Sequence, residues 1–347
     1  MKKSIKPNAL MDEIRCGGRK RASMNYYNKN ILFLSWKFYE YPEKIKEKLE
    51  EKGAKVTYYN AVPTESHLKM KLMTKLNFLR TQYEDKIIEE EKGKKYDYIL
   101  VINPALFELS FLEKIISATE CEHKIAYLWD SIGTFPEVKS TFKLFDCIYS
   151  FDKQDCNENK ELSFLPLFYI EENNKERFQP NYTFCFVGFA HTQRYQFIKK
   201  IRKYAEENGY TYCFKLYLPS KLHYLYGKYI KKYYPEGRLD DFIFKSLTQS
   251  EIHTIMENSK IVIDMELKNQ NGLTMRTIES LGMRRKLITT NPHVQEYDFY
   301  NSGNILVVDR DDPELNTRFI CSEYQKLDDD VYARYSLTKW IEFLLGD

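Results

Sequence analysis

The sequence predicts an α/β protein built as two successive halves, each a parallel sheet covered by helices on both faces. Short apolar runs lacking polar alternation recur between amphipathic stretches, the pattern of strands buried on both sides. That alternation breaks once, at the polar, proline-bracketed stretch 166–180, and then restarts. A length of 347 residues fits two domains of ordinary size.

Residues 1–29 hold Arg15, Arg19, Lys20 and Arg21 without periodicity, and Met24 stands just before the first apolar run. This segment reads as a disordered basic arm or as sequence ahead of a start at Met24, the second being favoured, and it is set aside from the fold. The first half, 30–170, has strand-like runs at 31–36, 54–59, 96–102, 124–129 and 147–151. Helix-like segments lie between them at 42–52, 64–92 and 108–118. Residues 171–177 read as linker. The second half, 181–325, repeats the scheme with runs at 182–187, 212–218, 242–244, 261–265, 286–289 and 305–308. A closing helix is expected over 331–345, where Tyr335, Leu337, Trp340, Ile341 and Leu344 recur at helical spacing. With two such halves, the default site is the cleft between them, beyond the carboxyl ends of the strands.

Composition excludes several classes. Fifty-three basic and 50 acidic side chains leave a net charge of +3, with no overall pull toward nucleic acid. No apolar run approaches the roughly 20 residues a membrane span needs, and the first thirty residues lack the apolar centre of a signal peptide. Seven scattered cysteines without a CxxC pair read as reduced thiols, so a cytoplasmic setting is expected. HExxH, Walker and EF-hand patterns are absent. No DxD metal motif stands out, Asp328-Asp329-Asp330 reading as an acidic helix start, so neither a metal nor a cofactor is expected.

The most informative segment is Asn271-Gly272-Leu273-Thr274-Met275-Arg276-Thr277-Ile278-Glu279, continuing to Asn291. A strand ending at Met265, a glycine loop and a helix beginning near Thr274 make an anion-binding geometry, since N–H groups and the dipole converge at the helix start. Arg276 would add a charge-assisted contact to a diphosphate, and Glu279, three residues on, would accept the hydroxyls of a ribose. The same spacing also describes an exposed i,i+3 ion pair on an ordinary helix, and spacing alone leaves both readings open.

The stretch 270–291 resembles the donor-binding segment of bacterial GT-B type glycosyltransferases of capsule or lipopolysaccharide biosynthesis, related to spore-maturation glycosyltransferases. The likeness extends to Phe186-Val187-Gly188-Phe189 with His191 and Arg194, and to Tyr127-Leu128-Trp129-Asp130. It implies two Rossmann-like domains facing a central cleft, the acceptor on the N-terminal side and a nucleotide-sugar donor on the C-terminal side. Gly188, His191, Arg194, Gly272, Thr274, Arg276, Glu279 and Asn291 would then bind the donor. Asn271 stands where a retaining enzyme of this kind carries a first glutamate, so the stereochemical course stays open.

Three further features bear on chemistry. Asp130 ends an apolar strand and is placed as a general base, with an N-cap for a helix after Thr134 as its alternative. Trp36, in the aromatic loop after the first strand, would stack on an acceptor sugar, although core packing is the commoner use of such residues. Residues 221–234 mix lysines with tyrosines, which suits peripheral contact with the inner face of an anionic membrane or a solvated face over core tyrosines. Asp264 is assigned to structure. The leading reading is transfer of a sugar from a nucleotide-diphosphate donor to a hydroxyl of a surface glycan or lipid-linked acceptor. The alternatives are a hydrolysing nucleotide-sugar 2-epimerase, which would place more acidic and histidine groups around the donor, and a non-catalytic sugar-binding subunit.

Overall fold

The computed structural model describes residues 27–62, 77–171, 179–190, 193–266 and 271–346. They fall into two compact units. One runs through Leu167 and includes the C-terminal helix from Leu337; the other is Phe168–Ser336.

In the first unit, strands β1 (Asn30–Ser35), β2 (Lys55–Asn60), β3 (Lys95–Ile102), β4 (Glu120–Leu128), β5 (Cys147–Ser150) and β6 (Leu162–Phe164) form one sheet in the order 2-1-3-4-5-6. Every pairing is parallel. Helices α1 (Tyr41–Glu51), α2 (Asn77–Glu91), α3 (Leu109–Ala118) and α4 (Lys153–Glu158) make the connections. Ile31, Leu32, Phe33 and Leu34 are all buried, as are Ile99, Leu100 and Val101, which is why neither strand alternates in polarity. β6 escapes sequence detection because three residues carry too little pattern. The described part of the helix expected over 64–92 begins at Asn77.

The second unit repeats the plan with β7 (Tyr182–Phe189), β8 (Tyr212–Tyr217), β9 (Phe242–Ile243), β10 (Ser259–Asp264), β11 (Lys286–Thr289) and β12 (Ile305–Val307). Its order, β9-β8-β7-β10-β11-β12, is also parallel throughout. Numbered within the unit this is 3-2-1-4-5-6, the doubly wound Rossmann order. The helices are α5 (Arg194–Glu207), α6 (Lys221–Leu225), α7 (Gln249–Glu257), α8 (Met275–Gly282), α9 (Thr317–Cys321) and α10 (Asp329–Arg334). Asp328 caps α10, accepting from the N–H groups of Asp330 and Val331, so the Asp328-Asp329-Asp330 run is a helix start.

The closing helix α11 (Leu337–Leu345) is shorter than the expected 331–345. The chain leaves the helical path after Arg334 because Tyr335 is held elsewhere. Its carbonyl accepts from the N–H of Tyr169 at 2.8 Å, and its hydroxyl donates to Asp298 at 2.6 Å. α11 returns to the first unit, where Trp340 meets Tyr127 edge-on with ring centroids 4.8 Å apart.

Candidate active sites of the two units

Open parallel sheets bind ligands where the strand order reverses. In the first unit that point lies between β1 and β3, and there the carboxyl ends of β1, β3 and β4 line a 240 Å³ cavity. Trp36, Phe38, Tyr41 and Trp129 supply its aromatic walls, and Asn103 and Asp130 its polar groups. The rings hold one another: Tyr41 and Trp129 have centroids 5.6 Å apart, and Phe38 stacks on Tyr41 at 6.0 Å. Trp36 and Asp130, singled out separately in the sequence, therefore share one pocket.

Asp130 caps no helix; the next element, Pro136–Leu144, is a 3-10 helix whose N-cap position is Phe135, without a side-chain cap. Its carboxylate instead accepts a 2.6 Å hydrogen bond from the Asn103 side-chain amide. Burial raises its pKa above the ordinary carboxylate value, and the Asn103 bond draws it back only in part. Asn103 is itself buried and left-handed, at φ 55° and ψ 66°. Tyr39, between two of the cavity's aromatic residues, has φ 51°. Non-glycine residues held in this region concentrate where the surrounding structure enforces a working geometry. Sequence reasoning missed Asn103, whose signal was an asparagine ending a strand directly before Pro104.

In the second unit the order reverses between β7 and β10. Gly188 is the penultimate residue of β7, where an added Cβ would come within 2.9 Å of the Phe186 ring and 3.6 Å of the Arg194 guanidinium. Arg194 opens α5, but its guanidinium is turned onto the carbonyl of Met265 with bonds of 2.9 and 2.6 Å, fastening the end of β10. Burial lowers its pKa. His191 lies outside the described residues. Asp264, fully buried, accepts from the hydroxyls of Thr274 and Thr277 at 2.9 and 3.2 Å. Its pKa is raised by burial, against the pull of Thr274 and Arg194. Thr274 also caps α8 by accepting from the Thr277 N–H. Asn291 bridges the carbonyls of Asn271 and Gly272 through its amide while capping Pro292–Glu296, so it shapes the Gly272 loop.

Arg276 and Glu279 do form the i,i+3 pair, at 2.9 Å, yet it is not an exposed one: the two side chains are 18% and 8% accessible. His253 of α7 reaches the other carboxylate oxygen at 3.3 Å, with the Gln249 amide at 3.5 Å. Glu266, just past β10, accepts from the Thr290 hydroxyl at 2.6 Å and pairs with Arg310. Sequence reading found none of His253, Glu266 and Arg310. Glu266 and Arg310 each stand just beyond a strand, a signal a stricter search of strand ends would have caught. Among the described residues, no group of three or more His, Cys, Asp or Glu is placed to hold a metal ion. No described helix is long and apolar enough to cross a membrane.

No family model matches the chain, and no curated protein matches it. Among solved structures it is similar to UDP-GlcNAc 2-epimerase of Methanocaldococcus jannaschii in complex with UDP-GlcNAc and UDP. The identity is 10% and the TM-score 0.49, over 92% of this chain and 93% of that one. A second structure of that epimerase gives 9% identity and a TM-score of 0.44 over the same shares. An NAD+-bound 3-phosphoglycerate dehydrogenase of Entamoeba histolytica gives 12% and 0.23 over 92% and 93%. Likeness at this level concerns the arrangement of elements and carries nothing about chemistry.

Proposed function

We propose that this protein is a glycosyltransferase that moves a sugar from a nucleotide-diphosphate donor to an acceptor hydroxyl. The observation that carries the reading is Asp130, a carboxylate of raised pKa set among Trp36, Phe38, Tyr41 and Trp129 at a strand-order reversal. Aromatic faces suit the apolar faces of sugar rings, and the carboxylate supplies the base that a hydroxyl nucleophile requires. In the reaction the acceptor O–H gives its proton to Asp130 as its oxygen bonds to the anomeric carbon. The bond from that carbon to the donor phosphate breaks, and the nucleoside diphosphate leaves with the electron pair. Helix α8 and Arg276 would hold the diphosphate, and Glu279 the ribose. Gly188 gives room for the Phe186 ring and the Arg194 guanidinium to pack at the end of β7, and Thr274 and Asn291 fix the Gly272 loop.

The test is binding of nucleoside diphosphates to the purified chain, followed by release of diphosphate from a panel of nucleotide-sugars with and without saccharide acceptors. Absence of any nucleotide binding, or unchanged binding by Glu279→Ala, would remove the donor-site assignment.

One observation favours a second reading, a hydrolysing 2-epimerase. The second unit gathers Asp264, Glu266, Glu279 and His253 around its own sheet reversal and the helix that follows. An epimerase would convert the sugar of the donor with no acceptor present, so product analysis on donor alone separates the two.

A further inference from the structure

From the exposed face of residues 221–233 we infer that this protein docks on an anionic lipid bilayer through the α6 turn of its second unit. Ser220 caps α6, its hydroxyl accepting from the His223 N–H, and the helix runs into a single π turn over Tyr226–Ile230. The inner side of this hook is pinned. Tyr224 and Tyr234 stack at 6.0 Å, and Tyr234 lies against Phe242 at 4.8 Å. Gly227 fits against Tyr234 so closely that a Cβ would overlap the tyrosine hydroxyl. Lys232, at φ 52°, closes the turn.

With those residues turned inward, their neighbours must face outward. Leu222 is 76% exposed and Ile230 67%, and Leu225, Tyr226, Tyr229 and Tyr233 are exposed beside them. More than half of the large exposed hydrophobics among the described residues come from this one hook. Single exposed apolar side chains need no explanation, but a cluster marks a contact surface.

Charge decides which contact. Lys221, Lys231 and Lys232 are exposed within the cluster, and no Asp or Glu occurs from 221 to 235. Lys228 alone is drawn inward, donating to the Gly237 carbonyl at 2.8 Å. Of the acids that follow, Glu236 is engaged with Lys199 and Asp241 with Arg202 and Tyr195, which leaves Asp240 as the exposed one. Apolar side chains, tyrosines and unopposed lysines on one short surface match the bilayer interface, where rings sit at the headgroup level and lysines meet anionic lipid. The inference is independent of which sugar reaction the protein performs.

The experiment is co-sedimentation of the full chain with phosphatidylcholine vesicles and with phosphatidylcholine–phosphatidylglycerol vesicles, at low and raised salt. Binding is expected to the anionic vesicles and to weaken with salt. Lys221→Gln/Lys231→Gln should weaken it roughly fivefold for each lysine neutralised. Leu222→Ser/Ile230→Ser should reduce it further with the circular dichroism spectrum unchanged, since both side chains lie outside the core. Equal binding to neutral and anionic vesicles, or binding untouched by both double variants, overturns the inference. So does a concentration-dependent dimer, abolished by Leu222→Ser/Ile230→Ser, in a protein that ignores vesicles.

Discussion

The side-chain amide of Asn103 donates to Asp130 across 2.6 Å, joining the end of β3 to the residue after Trp129 at the mouth of the aromatic cavity. The bond has two opposite consequences. It favours the charged carboxylate, and it holds that carboxylate in a half-buried position that favours the neutral acid. Burial wins, so the group stays poised above the range of a solvated aspartate.

Asp130→Asn should therefore separate activity from stability. Removing the base is expected to lower turnover by about 10²–10⁴-fold. The folded state holds the Asp130 proton at pH values where the unfolded chain has released it. Its stabilising effect is full below the unfolded pKa and lost as pH rises through the folded one. At neutral pH the carboxylate is a cost that asparagine lacks. Thermal denaturation should show an unchanged or higher Tm for the variant; a drop of several degrees would show that the carboxylate is needed to hold the pocket.

Asn103→Ala removes the amide that draws the Asp130 pKa down. The acid limb of kcat/KM, below which the base is protonated, should move to higher pH. Alanine at a left-handed position should also cost about 1–2 kcal/mol of stability. A pH–rate profile identical to wild type would show that Asp130 does not titrate in the reaction.

The sheet strands other than β6 were legible because their runs lack polar alternation, and Trp36 and Asp130 because one ends such a run and the other directly follows one. Their meeting in one cavity was not, since it depends on the strand order 2-1-3-4-5-6, which places β1 beside β3 and β3 beside β4. Asn103 was hidden for a different reason: before Pro104 it reads as a turn, and its left-handed backbone is visible only in the fold. The pair Arg276 and Glu279 was correctly spaced, but its burial depends on α7. His253 reaches Glu279 only because one helix leads into β10 and the next leads out of it, a tertiary proximity without a local sequence signal. The closing helix was overextended because Tyr335 keeps helical spacing in sequence while its carbonyl serves Tyr169.

Glu279 tests the donor assignment. Glu279→Ala should weaken nucleoside diphosphate binding by about tenfold or more, the loss of one charge-assisted hydrogen bond of about 1.5–3 kcal/mol. Truncation also takes the carboxylate away from Arg276 and His253, so Tm should fall as well. Glu279→Gln keeps the shape and an acceptor, and calorimetric titration should find its affinity between those of wild type and alanine. Wild-type affinity in both variants would place the nucleotide elsewhere.

Trp340 tests how the first unit is finished. The side chain is buried within α11 and packs edge-on against Tyr127, which is buried in β4. β4 ends two residues before Asp130, so the contact supports the strand that carries the proposed base. Trp340→Ala should cost about 3–5 kcal/mol, the range for deleting a large buried aromatic. α11 comes from the far end of the chain and is tied to α1 by the Lys52–Glu342 ion pair at 2.9 Å, so its loss should loosen the first unit selectively. Hydrogen exchange should rise in β4 and α1 of the variant while β7 and β10 keep wild-type protection. Equal loosening of both units would mean that α11 sustains the whole chain and not the first sheet alone.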